Sequence, residues 1–143
     1  MRKVLKALSW LAGIVLVLAL LSVAALWLLL DSGCSNDVLK DAPSPDGKHK
    51  AIVFQRDCGA TTGFSTQVSV LRASQSLGSS SGNIFVADTN HGAAPHGPGG
   101  GPAVRVTWTG PGSMTVSHHS AARVFAAEPE LDGVRITYKA AAE

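Results

Sequence analysis

Charge and aromatic side chains are scarce in this chain of 143 residues, since Asp, Glu, Lys and Arg make up 15% of it and aromatic residues 6%. Arg2, Lys3 and Lys6 are followed by no charged residue until Asp31. Without those three cations, nine Lys and Arg face ten Asp and Glu, so the remainder is close to neutral. A chain that lacks a basic stripe and interleaved aromatic residues does not match nucleic-acid binding. We therefore expect no nucleic-acid partner.

Motifs that carry chemistry are also missing. The sequence has no Gly-x-Ser-x-Gly elbow, no Gly-Lys-Ser or Gly-Lys-Thr phosphate loop, and no Cys-x-x-Cys pair. No repeat of about 20 to 50 residues recurs. Glu128 and Glu130 flank Pro129 in a predicted turn and do not form an acid and base pair. The sequence therefore predicts a protein that is not an enzyme and that binds no cofactor.

One long apolar run occupies 7–30, after a basic stub at 1–6. As a helix of about 24 residues at roughly 1.5 Å each, it would reach about 36 Å, more than a hydrocarbon core of about 30 Å. The cations before the run and the acid after it favour a cytoplasmic N-terminus. We predict a single transmembrane helix that serves as a signal anchor, with the rest of the chain outside.

Two alternatives to an uncleaved anchor stay open. The run could be a signal peptide that is cleaved after Ala25, although this would leave an apolar new terminus. Alternatively, Cys34 could be lipidated, because Gly33 is the small residue that such a signal places before its cysteine.

Cys34 and Cys58 are the only cysteines. In an oxidising compartment two cysteines have one possible internal pairing, so we predict a disulfide between them. Its loop of about 25 residues would contribute roughly 3.5 kcal/mol to stability in the chain-entropy treatment. The alternative is a reactive thiolate at Cys58, activated by His49 or Arg56.

Beyond a juxtamembrane linker and turn at 31–48, the stretch 49–143 breaks into short strands separated by Gly, Pro, Asn and Ser clusters. Several later segments alternate apolar and polar residues. We predict an all-β domain of six or seven strands, a small sandwich or partly open barrel, preceded by the single transmembrane helix. The outward positions of the alternating strands are Arg105, Thr107, Thr115, Ser117, Arg135, Thr137 and Lys139.

A loop of small hydroxyl residues between two predicted core strands is the first candidate site. Thr61, Thr62 and Ser65, together with backbone amides, could form a small polar ligand site. The simpler interpretation is that the hydroxyls cap local backbone groups.

The Gly/Pro-rich loop 91–102 is the second candidate. Asp88, His91 and His96 have a spacing that could supply three ligands to zinc or copper. Because ordering such a loop costs backbone entropy, we interpret it as solvated and predict no metal site. His118 and His119 are adjacent in a predicted strand, where they would point to opposite faces and could not share a metal.

The segments Ser44-Pro45-Asp46-Gly47-Lys48, Cys58-Gly59-Ala60-Thr61-Thr62 and Gly82-Asn83-Ile84-Phe85 carry a resemblance. Together they resemble a set of uncharacterised small bacterial membrane-anchored envelope proteins. The resemblance covers most of 34–88. It implies a bacterial source, a place in the cytoplasmic membrane and a periplasmic or extracellular C-terminal domain, but no activity.

These observations lead to one expected function. We expect a single-pass membrane-anchored envelope protein whose exported β domain is a binding or interaction module. Its expected partners are the membrane and another envelope protein. The alternatives are a small metal-binding or thiol enzyme of the envelope, and a structural accessory subunit of a membrane complex.

Overall fold

The computed structural model describes residues 2–31, 33–59 and 62–142, and within its helix the side chains at 10 and at 13–26. The chain divides into two compact units, Met1–Gly33 and Cys34–Glu143. The first unit contains one helix, α1 (Arg2–Asp31), and the second contains nine strands. Each unit is described by itself.

The apolar run does form a helix, but the predicted membrane span is corrected. In the described part of the chain, no helix combines the length and the apolar character that crossing a bilayer requires. The side chains described without a break in α1 run from 13 to 26, about 21 Å of helix against a hydrocarbon core of about 30 Å. This finding overturns the single-pass anchor at 7–30, and with it the location in a bacterial cytoplasmic membrane.

The strands of the second unit form two separate sheets. In chain order they are β1 (Ser35–Pro43), β2 (His49–Asp57), β3 (Ser65–Arg72), β4 (Phe85–Asp88), β5 (Val104–Gly110), β6 (Ser113–His119), β7 (Arg123–Ala127), β8 (Glu130–Leu131) and β9 (Val134–Ala141). The five-stranded sheet has the order β1-β2-β3-β4-β7, and the four-stranded sheet the order β5-β6-β9-β8. Neighbouring strands are antiparallel except β6 and β9, which are parallel.

The predicted all-β character of the domain is confirmed, but the predicted count of six or seven strands is wrong. The additional strands lack the periodic apolar pattern on which that count rested. β1 lies within the predicted linker 31–48 and is mostly exposed, because it is an edge strand with a β-bulge between Val38 and Lys40. β7 and β8 have only five and two residues and lie on either side of Pro129.

The inward side chains of both sheets share one core. Val53, Val68 and Phe85 of the five-stranded sheet are buried together with Met114 and Val116 of the four-stranded sheet. Alternation along each strand produces this arrangement, since residues i and i+2 point to the same face. A cross-sheet hydrogen bond from the indole Nε1 of Trp108 to the carbonyl oxygen of Ala42, 2.8 Å away, adds to the packing. The domain is therefore a two-layer sandwich.

The predicted disulfide between Cys34 and Cys58 is confirmed. It joins the residue before β1 to the residue after β2, at the end of that antiparallel pair. Because the bond lies inside the second unit, it restrains the β domain and leaves no free thiol.

The outer face of the five-stranded sheet is covered by the protein itself. Phe54 and Gln67 point outward from this sheet, yet their exposed fractions are 0% and 3%. The segment 73–84 covers them. In that segment the hydroxyl of Ser81 and the backbone N–H of Gly82 donate hydrogen bonds to Oε1 of Gln67, at 2.8 and 2.6 Å. The middle of this face is therefore covered, whereas Val38 on β1, opposite Phe54, is exposed.

Candidate binding face

The outer face of the four-stranded sheet is uncovered and entirely polar. We call it the polar face and define it as the outward positions of β5, β6 and β9. Inward positions of the same strands hold core residues such as Val106, Val116 and Ile136, so alternation directs the intervening residues outward. The polar face comprises Arg105, Thr107, Thr109, Ser113, Thr115, Ser117, His119, Arg135, Thr137 and Lys139, with Ala141 at its end.

The register of the three strands arranges the polar face in rows. Thr107 pairs with Thr115, which pairs with Thr137, so three threonines lie side by side across the sheet. Residues directly opposite one another in neighbouring strands have Cβ atoms about 5 Å apart. The result is a short, flat ladder of hydroxyl and methyl groups in the middle of the face.

Charged rows lie on both sides of the threonine row. On one side Arg105 pairs with Ser117, which pairs with Lys139. On the other side Ser113 pairs with Arg135, whose second neighbour is Glu130 on β8. Three cations and one carboxylate therefore occupy the surface.

The cations of the polar face are solvent-exposed and form no salt bridge with a described residue. Arg105, Arg135 and Lys139 are all exposed. Salt bridges among the described residues instead join Lys48 to Asp46 and Arg123 to Asp88. An exposed guanidinium presents five N–H donors in a planar fork that matches the two oxygens of a carboxylate. The polar face is thus suited to anionic groups.

A groove of about 460 Å³ lies at the end of the polar face where β5 begins. Arg105, Ser117 and His119 line it together with Pro98 and Ala103 of the preceding loop. Val104, His118 and Ala141 complete the lining. The groove therefore combines a guanidinium, a hydroxyl and an imidazole with a wall of small apolar groups.

His118 and His119 are held in opposite tautomers by their backbone partners. Nδ1 of His118 lies 3.0 Å from the carbonyl oxygen of His119, which can only accept, so this nitrogen carries a proton. Nδ1 of His119 accepts a hydrogen bond from the backbone N–H of Ala121 at 3.1 Å. In its neutral form His119 therefore carries its hydrogen on Nε2 and can donate to an anionic group. His118 packs inward, with its ring centroid 5.2 Å from that of Phe85.

The predicted hydroxyl loop does not assemble a site among its described residues. Thr61 lies outside the residues that the structure describes. The hydroxyl of Thr62 donates to the carbonyl oxygen of Gly59 at 3.1 Å. The hydroxyl of Ser65 accepts a hydrogen bond from Nε2 of Gln67 at 2.9 Å. Thr62 and Ser65 thus bond to neighbouring groups of the protein, as the capping interpretation expects.

The three potential metal ligands contact other groups of the protein and do not converge on one point. Asp88 forms an ion pair with Arg123, and Nε of Arg123 donates a hydrogen bond to the Asp88 carboxylate at 3.2 Å. Nε2 of His91 lies 3.4 Å from the same guanidinium. His96 instead contacts the carbonyl oxygen of Gly100 through Nδ1, at 2.5 Å. In the described ranges, no three His, Cys, Asp or Glu side chains are grouped so that they could hold a metal ion.

Electrostatics around Asp88 favour the ion pair. Partial burial acts to raise the pKa of Asp88, but hydrogen bonds from Arg123 and from the backbone N–H of Asn90 outweigh it. The pKa of this carboxyl therefore lies below its ordinary value. Arg123 also stacks on Phe125, with its guanidinium carbon 4.9 Å from the ring centroid.

The Gly/Pro-rich loop is packed against the sandwich in its second half, although the sequence predicts a solvated segment. Gly99, Gly101 and Pro102 are buried. The carbonyl oxygen of Pro102 accepts a hydrogen bond from the buried hydroxyl of Thr66 at 2.7 Å. A Cβ atom at Gly101 would lie 2.5 Å from that hydroxyl oxygen. Glycine is needed here because the loop backbone lies directly on β3.

The outward residues of the polar face follow from alternation in the sequence, but their rows do not. β6 and β9 are separated by β7 and β8 in the chain, and their pairing is parallel. No local sequence signal specifies such a register. A repeated polar position in three strands, Thr107, Thr115 and Thr137, is the one feature that hints at it.

Comparisons of the chain with protein-family models, with curated proteins and with solved structures found no match. The resemblance to small bacterial envelope proteins therefore stays a prediction.

Proposed function

We propose that the β domain is a non-catalytic binding module and that the polar face is the surface that binds. One observation carries this proposal: the two outer faces of the sandwich differ in how far the protein's own chain covers them. The protein packs its own segment 73–84 over the middle of the outer face of the five-stranded sheet, where Phe54 and Gln67 are buried. It leaves the other outer face open, with three exposed cations and a row of three threonines in register.

The state of the reactive residues supports binding rather than catalysis. Cys58 is bonded to Cys34 and offers no thiolate. His118 packs against the ring of Phe85. Nδ1 of His119 accepts the backbone N–H of Ala121, so neutral His119 has no free ring nitrogen to act as a base. A nucleophile paired with an oriented base is the arrangement that covalent catalysis needs. The polar face presents donors for a ligand but no such pair.

A matched pair of charge reversals tests the proposal. Arg105→Glu places an acid in the polar face, and Arg72→Glu places one at an exposed position at the end of β3 in the other sheet. Full-length wild-type protein and both variants would be immobilised and exposed to an extract of the source cells. Retained proteins, glycans and small molecules would then be quantified by mass spectrometry.

We expect the wild type and Arg72→Glu to retain the same components and Arg105→Glu to lose them. Equal retention by all three proteins would place binding elsewhere. Reproducible retention of nothing by the wild type would contradict the binding function itself.

A further inference from the structure

The spacing of the cations on the polar face restricts what can bind there. Arg105 and Lys139 lie in one row on β5 and β9, with β6 between them. Two strand spacings of about 4.8 Å place their backbones about 10 Å apart. Arg135 is four residues from Lys139 on β9, which corresponds to about 13 Å along a strand. The positive charges are therefore well separated.

Such a spacing does not fit a densely charged polymer. Phosphates in one nucleic-acid strand follow each other every 3.4 Å or so. Cations about 10 to 13 Å apart would meet only some of them and leave the others unneutralised. A polymer whose charges are separated by uncharged, hydroxyl-bearing units matches the face better.

The absence of apolar anchors argues against a protein partner. Stable protein interfaces are centred on buried aromatic or aliphatic side chains. Trp108 and Tyr138, the aromatic residues of these strands, belong to the inward set that packs on the core. Among the described outward residues of β5, β6 and β9, the largest purely apolar side chain is Ala141.

The threonine row fits a ligand rich in hydroxyl groups. Thr107 and Thr137 are exposed and Thr115 is half-buried. A hydroxyl both donates and accepts hydrogen bonds, as sugar hydroxyls do. The row lies between the charged rows, so a chain that places a carboxylate on Arg105 or Lys139 passes over the threonines on its way to Arg135.

We propose that the polar face binds an acidic polysaccharide in which uronate units alternate with uncharged sugars. Its separated carboxylates pair with Arg105, Lys139 and Arg135, and its hydroxyls bond to the threonine row. The groove lined by Arg105, Ser117 and His119 receives one uronate carboxylate at the end of the face. The planar guanidinium fork can bind a carboxylate in a bidentate manner, as it can also bind a phosphate, so the wide spacing of the cations is what favours separated uronates. This inference rests on the proposed binding function and assigns its ligand class.

Calorimetric titration of the full-length protein with a hyaluronan fragment of defined length, in which glucuronate alternates with uncharged N-acetylglucosamine, tests the inference. We expect binding that weakens as salt is added, because exposed charge pairs are screened. Arg105→Ala and Lys139→Ala should each weaken binding about tenfold, the effect of losing one charged hydrogen-bond partner. Thr115→Val, which replaces the hydroxyl by a methyl group, should weaken it about threefold.

The control variant is Arg72→Ala, which removes an exposed cation outside the polar face and should leave the affinity unchanged. Far-UV circular dichroism of each variant shows whether it has folded, and the isosteric Thr115→Val keeps the test valid if a cation variant has not. Uncharged dextran should not bind.

Three results would overturn the inference. Equal affinity for polyglutamate, with the same variants affected, would reject the sugar and leave the binding module standing. Tighter binding of polygalacturonate, which carries a carboxylate on every sugar, than of hyaluronan would reject the argument from charge spacing. Absence of binding to every polymer would reject the ligand class, whereas the binding function is judged separately by the retention experiment with Arg105→Glu.

Discussion

The phenol oxygen of Tyr138 lies 2.8 Å from the carbonyl oxygen of Glu128. It also lies 2.7 Å from the carbonyl oxygen of Ile84. Tyr138 belongs to β9 in the four-stranded sheet, whereas Glu128 follows β7 and Ile84 precedes β4 in the five-stranded sheet. One hydroxyl thus joins the two sheets at the point where the chain passes from one to the other. The same tyrosine pairs with Val116 on β6, a strand that holds part of the polar face.

Replacing Tyr138 by Phe removes this connection. The carbonyl oxygens of Glu128 and Ile84 lose the one phenol hydrogen that they share, although that of Ile84 still accepts from the backbone N–H of Glu128. We expect the free energy of unfolding to fall by about 1 to 2 kcal/mol. Urea unfolding followed by tryptophan fluorescence measures the change. Thr137→Val, at an exposed neighbouring position, should differ from the wild type by less than about 0.5 kcal/mol. An unchanged urea midpoint for Tyr138→Phe would show that the hydroxyl does not stabilise the contact between the sheets.

The ionisation of Tyr138 can be followed alone, because the chain has a single tyrosine. Burial, together with the charge of Glu128, raises the pKa of Tyr138 to about 12. Since this value exceeds the ordinary pKa of about 10 in the unfolded chain, the resulting stability is complete below about pH 10 and is lost towards pH 12. Absorbance at the tyrosinate band, with circular dichroism to monitor folding, gives the midpoint. A midpoint near the ordinary value in the folded protein would contradict the buried phenol.

The packed half of the Gly/Pro-rich loop makes Gly101 sensitive to substitution. A Cβ atom there would lie 2.5 Å from Oγ1 and 2.6 Å from the backbone nitrogen of Thr66. Because backbone must move to relieve this clash, we expect Gly101→Ala to destabilise the domain by about 2 kcal/mol. Gly63→Ala is the matched control, since a Cβ atom there meets nothing within 4 Å. If thermal unfolding showed both variants to be equally mild, the loop would be solvated as the sequence suggests.

The disulfide closes a loop with a sequence separation of 24 residues. Replacing both Cys34 and Cys58 by Ala should lower the free energy of unfolding by about 3.5 kcal/mol, mainly because the unfolded chain gains conformational freedom. Urea unfolding of the double variant, compared with the wild type under reducing and oxidising conditions, measures this. The reduced wild type should behave like the variant. Coincident curves for the oxidised wild type and the variant would argue that the bond adds no stability.

Asp88→Asn should reduce stability at neutral pH and have little effect in acid. The pKa of Asp88 is lowered in the folded protein, so the stability from its ionised form is present above its ordinary pKa and is lost as the pH falls through the lowered value. We therefore expect a lower melting temperature for the variant near pH 7 and a difference that narrows as the pH falls below the ordinary pKa of 3.8. Asp37→Asn, on exposed β1, serves as the control. A difference that persists in acid would mean that packing, rather than charge, is the cause.

Much of the sandwich could be predicted from the chain. A continuous apolar run identified β2, and another short apolar run identified β4. Period-two alternation identified β3, β5, β6 and β9, within a few residues of their bounds. β1, β7 and β8 were missed as strands, because edge strands with exposed side chains carry no such alternation. The expected membrane span was wrong for a different reason. A long apolar run in a sequence does not by itself establish a helix that can cross a bilayer, and the described part of the chain contains no such helix.

The sequence by itself determined the all-β class of the domain, the pairing of its only two cysteines and the residues that face outward on β5, β6 and β9. These features depend on local periodicity and on composition, which act within a few residues of chain. Only the tertiary structure decided that segment 73–84 packs on the five-stranded sheet, while the outer face of the four-stranded sheet stays open. It also decided that Arg105, Ser117 and Lys139 form a row. Both features depend on contacts between residues far apart in the chain. Long-range packing and strand register select these contacts, and no local sequence pattern encodes them.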